Sequence, residues 1–340
     1  MRIALLGSYG RGNIGDEAIA QSIHAQIRHL FPQSETALFS HDVTNSKALH
    51  TEFSHIFPMI ATGARSFYCQ WRTKVWHKSI SYLKSCDYIV IGGGGILHDQ
   101  EIGQKGFSPL FIWWLRTLLF SYFKRKIIIW AVGVGPIKNS LSELWLKGIL
   151  KRAFLITVRD QHSSEWAQKH TQKPVTIVPD PVWGYFSAPI HHPSSTILGI
   201  NIRESKRLTF DEVKRQLLQA VDQILQKKTI TEIWLIPFAL HQPDDRDILS
   251  QLQRTLNQAF NLPVALKVEH TPEKVFALVS SCTHFIAMRF HSYIFAISAQ
   301  VPCTLLSYSK KTDEITKYSL KEYLKHQEDT KQFWLKKLSI

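Results

Sequence analysis

Three times in the first 140 residues a short apolar run stops at glycine. Residues 3–6 precede Gly7, residues 86–91 precede Gly92-Gly93-Gly94-Gly95, and residues 127–132 precede Gly133-Val134-Gly135-Pro136. The core of each run is apolar without alternation and too short for a helix, which is the pattern of a strand covered on both faces. Helical spacing follows the first loop, through Ala18, Ile19, Ile23, Ile27 and Leu30. Strands that alternate with helices imply a parallel sheet and an α/β fold. Glycine at a strand end lets the backbone turn tightly or approach a ligand closely. Open α/β sheets bind their ligands at that edge.

The same rhythm continues. Residues 36–40, 155–158 and 175–178 read as further strands, and residues 45–85 carry one or two helices around Trp71 and Trp76. Residues 179–195 hold four prolines and Gly184, the clearest boundary in the chain. Beyond it the pattern restarts. A strand at 196–202 ends at Arg203, and an amphipathic helix near 209–226 carries Val213, Leu217, Leu218, Val221, Ile224 and Leu225 on one stripe. Strands follow at 233–237, 264–268 and 284–288, with another at 303–306. The expectation is an N-terminal domain over 1–185, a C-terminal domain over 196–310 and a polar helical tail over 311–340.

The densest functional signal is Met288-Arg289-Phe290-His291, where a strand ends and a helix begins. Arginine carries a permanent charge and a fork of donors suited to phosphate or carboxylate. A histidine two residues on can move a proton near neutral pH. An arginine in a surface ion pair and a histidine capping the helix are equally compatible with this stretch alone. Gly10, Gly12 and Gly15 match G-x-G-x-x-G, but three residues separate Gly10 from the strand, whereas the dinucleotide fingerprint turns directly off it. That loop reads instead as backbone brought close to a ligand at a helix N-terminus. His98 and Asp99 follow the four glycines as candidate ligand contacts or local caps. Asp244, Asp245 and Asp247 read as a solvated helix start favoured by the dipole.

Composition narrows the partners. The 41 Lys and Arg against 27 Asp and Glu leave a formal charge of +14, which favours phosphorylated substrates or anionic lipid. No zinc-finger spacing, RNP-like motif or basic repeat points to nucleic acid. The four cysteines have no C-x-x-C pair and fit buried thiols in a reducing cytoplasm. Carboxylates and histidines show no metal spacing, so neither metal nor cofactor is expected. The N-terminal apolar run is too short for a signal peptide. Residues 107–123 form the most hydrophobic segment, but Arg116 sits near its middle and Lys124, Arg125 and Lys126 follow. That falls short of a spanning helix and predicts either a core helix or peripheral contact with a membrane surface.

Six pieces together resemble the polysaccharide pyruvyl transferase family, in its bacterial cell-wall and exopolysaccharide branch. They are Gly10-Arg11-Gly12-Asn13-Ile14-Gly15-Asp16-Glu17, the glycines at 92–95, Gly133-Val134-Gly135-Pro136, Val158-Arg159-Asp160, Asp180-Pro181 and Met288-Arg289-Phe290-His291, with Ser307-Tyr308 after the last. The order matches over nearly the whole chain. Where the family often carries Gln-Asp after the glycine run, this chain has His98-Asp99. The resemblance implies two Rossmann-like domains facing a cleft, GT-B-like, and transfer of a pyruvyl group from phosphoenolpyruvate to a sugar as a cyclic ketal. It implies Arg289 as a phosphoenolpyruvate-binding residue, Arg203 as a second, and His291 as the acid/base. By analogy of fold, the first-domain loops with Gly12, Asn13, Asp16, Gly93, Gly94 and His98 face the glycan acceptor. A lipid-linked acceptor implies a cytoplasmic protein at the inner face of the membrane. A GT-B-type glycosyltransferase using a nucleotide sugar would share the fold and its cations. A non-catalytic membrane-surface or nucleotide-binding protein would share the charge.

Overall fold

A computed structural model describes residues 1–61, 64–99, 108–186, 196–205, 207–241, 244–306, 333–334 and 337. Most of the polar tail, Ser307-Tyr308 and the proline-rich stretch 187–195 lie outside the described residues. Strands and helices alternate throughout. Two parallel sheets result, one in each of two compact units.

The first unit contains β1 (Arg2–Leu6), most of α1 (Ile14–Leu30), β2 (Glu35–Ser40), α2 (Val43–Leu49), β3 (His55–Pro58), α3 (Ala64–Arg72) and α4 (Val75–Ser85). It continues with β4 (Tyr88–Gly92), α5 (Pro109–Tyr122), β5 (Lys126–Val132), α6 (Ser140–Arg152), β6 (Ala153–Val158), α7 (Gln161–Gln168) and β7 (Val175–Ile177). Its sheet order is β3-β2-β1-β4-β5-β6-β7, doubly wound from β1. The uninterrupted apolar strands β1, β4 and β5 are at its centre, as two-sided burial requires. From the described tail, Trp334 is buried and stacks on Trp130 of β5 with centroids 3.8 Å apart.

The second unit contains β8 (Ile197–Asn201), α8 (Phe210–Leu225), β9 (Glu232–Leu235), α9 (Asp245–Phe260) and β10 (Val264–Leu266). It ends with α10 (Pro272–Ser280), β11 (His284–Ala287), α11 (Phe290–Ser298) and β12 (Cys303–Leu305). Its order, β10-β9-β8-β11-β12, repeats the winding of the first sheet. Thr209 and Glu212 form a reciprocal capping box that starts α8. The predicted stripe then packs inward, with Val213, Leu217, Val221 and Ile224 buried and Leu218 and Leu225 covering their edge.

Three features differ from the sequence reading. Gly12–Ala18 belongs to the second unit, although the simple division puts it in the first. The short α2 and edge strand β3 sit in the stretch where only the later helices are legible. Cys86 and Cys282 are buried thiols as expected, whereas Cys69 is exposed.

Candidate active site

In the second unit, β11 and β8 pair in parallel with Ala287 opposite Asn201. Arg289 and Arg203 each lie two residues beyond that pair. Both therefore leave the carboxyl edge of the sheet from adjacent strands, the edge at which such sheets bind ligands. Arg289 is the N-cap of α11, and His291 is in that helix's first turn. Both side chains are buried, whereas Arg203 is half-buried and donates Nε to the Glu204 carbonyl at 3.1 Å.

Arg289 does not lie loose at this edge. Its Nε donates to Asp245 Oδ2 at 2.7 Å and its Nη2 to Oδ1 at 2.6 Å, a bidentate pair. Asp245 is 1% exposed, so the earlier reading of this acid as a solvated helix start is overturned. Position 245 shares a helical face with Ile248, Leu249, Leu252 and Leu256, all buried, so the period of α9 carries it inward. Backbone amides of Phe238 and Ala239 also donate to Oδ2, at 3.0 and 3.1 Å. Asn201 closes the frame: its Oδ1 accepts the Arg289 amide at 3.2 Å and its Nδ2 donates to the Ile236 carbonyl at 3.0 Å. A carboxylate with this many donors offsets much of its dehydration.

The glycine motif serves the same frame. The Ile14 amide donates to the Phe238 carbonyl at 2.8 Å, and the Leu240 amide donates to the Gly12 carbonyl at 2.9 Å. Asn13 thereby bridges Ala239 in antiparallel fashion. The segment 238–240 is held on one side by this loop and on the other by Asp245. Gly12 has φ +65°, and a Cβ there would collide with the His241 ring. A Cβ on Gly15 would collide with His291 Nδ1, so the His291 ring rests directly on the Gly15 backbone. Asn13 Nδ2 donates to Asp16 Oδ2 at 2.9 Å, and Asn13 Oδ1 accepts the Gly15 amide at 3.2 Å. Gly12, Asn13 and Asp16 thus belong with Arg289 and His291. The loop is therefore part of the second unit, whereas the sequence reading puts it in the first domain.

The remaining candidates lie in the first unit. Gly93 has φ +59°, and a Cβ there would meet Ile19 Cγ2 of α1. Its bareness therefore makes room for helix packing. Gly94 accepts the Gly133 amide at 2.8 Å, and Leu97 exchanges hydrogen bonds with Gly133 and Gly135, so two glycine loops brace each other. His98 is half-buried beyond this brace. Asp99 accepts the amides of Lys138 and Asn139 at 2.8 and 2.9 Å, which makes it an anchor for the segment before α6. In Val158-Arg159-Asp160, Arg159 reaches Asp180 at 3.1 Å and Asp160 caps α7 through the Ser163 amide.

The apolar segment forms α5 from Pro109, started by Ser108, whose side chain accepts the Leu110 amide. Leu110, Trp113, Thr117 and Phe120 are buried. Among the described residues no helix is long and apolar enough to cross a membrane. Among the same residues no group of His, Cys, Asp and Glu is arranged to hold a metal ion.

Fold comparison supplies the class. UDP-GlcNAc 2-epimerase of Methanocaldococcus jannaschii superposes with a TM-score of 0.57 at 10% identity, over 96% of this chain and 92% of that one. UDP-GlcNAc 2-epimerase of Neisseria meningitidis, solved with UDP-GlcNAc, gives 0.57 at 12%, over 93% and 85%. HepE of Anabaena, solved with UDP and glucose, gives 0.52 at 12%, over 89% and 80%. At such identities the likeness is one of fold, and the class is GT-B-like α/β with parallel sheets. No curated protein matches by sequence. The family model for polysaccharide pyruvyl transferase matches residues 13–310, most of the chain. The chain belongs to that family, whose members are transferases acting on polysaccharide.

Proposed function

We propose that the protein transfers the pyruvyl group of phosphoenolpyruvate to a sugar of a cell-surface polysaccharide or its precursor, forming a cyclic ketal. The observation that carries this reading is the buried Asp245–Arg289 pair with His291 one helical step away, at the carboxyl edge of the second sheet. Phosphoenolpyruvate has two anionic groups, and Arg289 with Arg203 supplies two guanidinium groups on adjacent strands. Asp245 engages the Nε–Nη2 edge of Arg289 and so fixes the plane in which the guanidinium meets an anion.

The reaction adds one proton to carbon and removes one from each attacking hydroxyl. One sugar hydroxyl adds to C2 of the donor and gives up its proton while a proton is delivered to the methylene carbon, which becomes the methyl group. The second hydroxyl then forms its bond to C2 as the C2–O bond to phosphate breaks, and its proton leaves with the inorganic phosphate. His291 is the acid/base for these steps, its ring held in orientation by Gly15. A lipid-linked acceptor would bring the protein to the inner face of the cytoplasmic membrane, where the +14 charge suits anionic lipid.

Donor identity is the decisive measurement. Phosphate release from phosphoenolpyruvate in the presence of an acceptor glycan, with a mass gain on the glycan, is the expected result. Turnover of a UDP-sugar with no phosphoenolpyruvate consumption would overturn it in favour of glycosyl transfer. Arg289→Lys keeps the charge and loses the fork, so phosphoenolpyruvate affinity by calorimetry should fall by about 1–3 kcal/mol.

A further inference from the structure

The first unit holds a second group of cations. Arg116, on α5, is 6% exposed, and its Nη2 donates to the Ile60 carbonyl at 3.1 Å. The guanidinium lies over the Trp113 ring at 4.8 Å. Among the described residues its buried Nε has no hydrogen-bond partner and no carboxylate is paired with it. Among the described residues the charges that reach Arg116 and its neighbour His41 are cationic: Arg11 acts on both, and Arg116 on His41. Arg11 Nη2 donates to His41 Nε2 at 3.3 Å.

These residues occupy neighbouring strand ends. Arg11 is in the loop after β1, His41 follows β2 directly, and Ile60 lies two residues beyond β3. The three strands are adjacent in the sheet order, so the cations gather at its carboxyl edge. Gly10, with φ +75°, seats the loop there, since a Cβ would collide with Ser40 and the Asp42 amide. Asp42 spends its carboxylate on the α2 cap by accepting the Asn45 amide.

Buried charge in proteins is ordinarily paired, because dehydration is otherwise uncompensated. Burial and then Arg11 push the Arg116 guanidinium down to about 9. Burial, Arg11 and Arg116 push His41 down to about 3. His41 is exposed to solvent, which tempers the dehydration, but both arginines act in the same direction and disfavour the imidazolium. An anion among these groups would be favoured by two guanidinium groups, with a third donor available once His41 takes a proton.

We propose that Arg116, Arg11 and His41 form a binding site for a phosphate-class oxyanion in the first unit. On the function proposed above, the donor anion goes to Arg289, so this second site takes the phosphate or diphosphate of a phosphorylated sugar acceptor. That assignment of the ligand rests on the pyruvyl-transfer reading; the oxyanion site does not. A membrane surface is the poorer source, because a guanidinium this buried is reached by a small group that enters and not by a plane of headgroups.

The test is calorimetry of inorganic pyrophosphate on the full chain. Wild type should bind it, and Arg289→Lys should still do so. Arg11→Gln, at an exposed side chain, should weaken it about tenfold, as loss of one charge-assisted hydrogen bond predicts. Arg116→Met should weaken it more, with circular dichroism checking its fold. No binding by wild type, or equal binding by wild type and Arg11→Gln, would overturn the site. Phosphoenolpyruvate titrated into the same variants separates the two proposals. Loss of its affinity only in Arg289→Lys keeps both sites distinct, and loss in Arg11→Gln instead would mean that the first-unit cations hold the donor. Flotation with phosphatidylglycerol vesicles covers the remaining source: attachment abolished by Arg11→Gln in a protein that binds no pyrophosphate would overturn the acceptor assignment.

Discussion

The two buried arginines make a controlled comparison. Arg289 and Arg116 are similarly dehydrated, at 9% and 6% exposure, and both lie near the carboxyl edge of a parallel sheet. Arg289 is matched by Asp245, whose carboxylate is tied in turn to Phe238 and Ala239. Arg116 is matched by a carbonyl and an aromatic face, and among the described residues the charge that acts on it, Arg11, repels. The paired arginine gains orientation, because a bidentate counterion fixes the guanidinium plane. Without a described counterion, the other retains attraction for an incoming anion at the expense of stability while the site is empty. One arrangement suits a group that must meet a small substrate at one angle, the other a group that recruits charge.

Breaking the matched pair should give the largest effect. Asp245→Asn leaves Arg289 buried without its counterion, and urea denaturation should show about 3–5 kcal/mol of lost stability. A loss below about 1 kcal/mol would mean that Asp245 does not hold a buried charge. Next comes chemistry beside that pair. His291→Ala should cut turnover about 100-fold or more while phosphoenolpyruvate binding stays near wild type. His291→Asn distinguishes roles, since an amide can cap a helix but cannot exchange a proton at neutral pH. Activity close to wild type in that variant would assign His291 to structure. The smallest effect is expected at the other arginine. Arg116→Met removes an uncompensated buried charge and keeps comparable apolar bulk, so stability in phosphate-free buffer should change by about 1 kcal/mol or less, or rise. A loss as large as that of Asp245→Asn would erase the contrast and show that Arg116 is structural.

Much of the architecture is readable without coordinates. Strands β1, β4, β5, β8 and β11 announce themselves as unbroken apolar runs because both faces of a parallel strand are covered. The stripe of α8 is legible for the complementary reason, that only one face is buried. Edge strand β3 is partly exposed along its length and carries neither an unbroken core nor an alternation, so it does not stand out. Arg289 and His291 are legible as candidates because arginine and histidine at a strand end are uncommon in a run otherwise apolar. Asp245 was within reach too, since it shares the period of Ile248, Leu249 and Leu252, but three acids at a helix start look solvated until one is known to point inward.

By itself the sequence determined the alternation of strands and helices, the restart after the prolines, and the strand ends at which function can sit. Periodicity and local chain stiffness decide those things within a dozen residues, and such information is carried locally. Partnership was decided only in three dimensions. Gly15 supports His291, Asp245 fixes Arg289, Gly93 makes room for Ile19, and Arg11 meets His41 and Arg116. Each joins residues far apart in the chain, and each depends on distances of a few ångströms. No local pattern encodes these distances, because hydrogen bonding, steric exclusion and Coulomb interaction act through space and not along the chain.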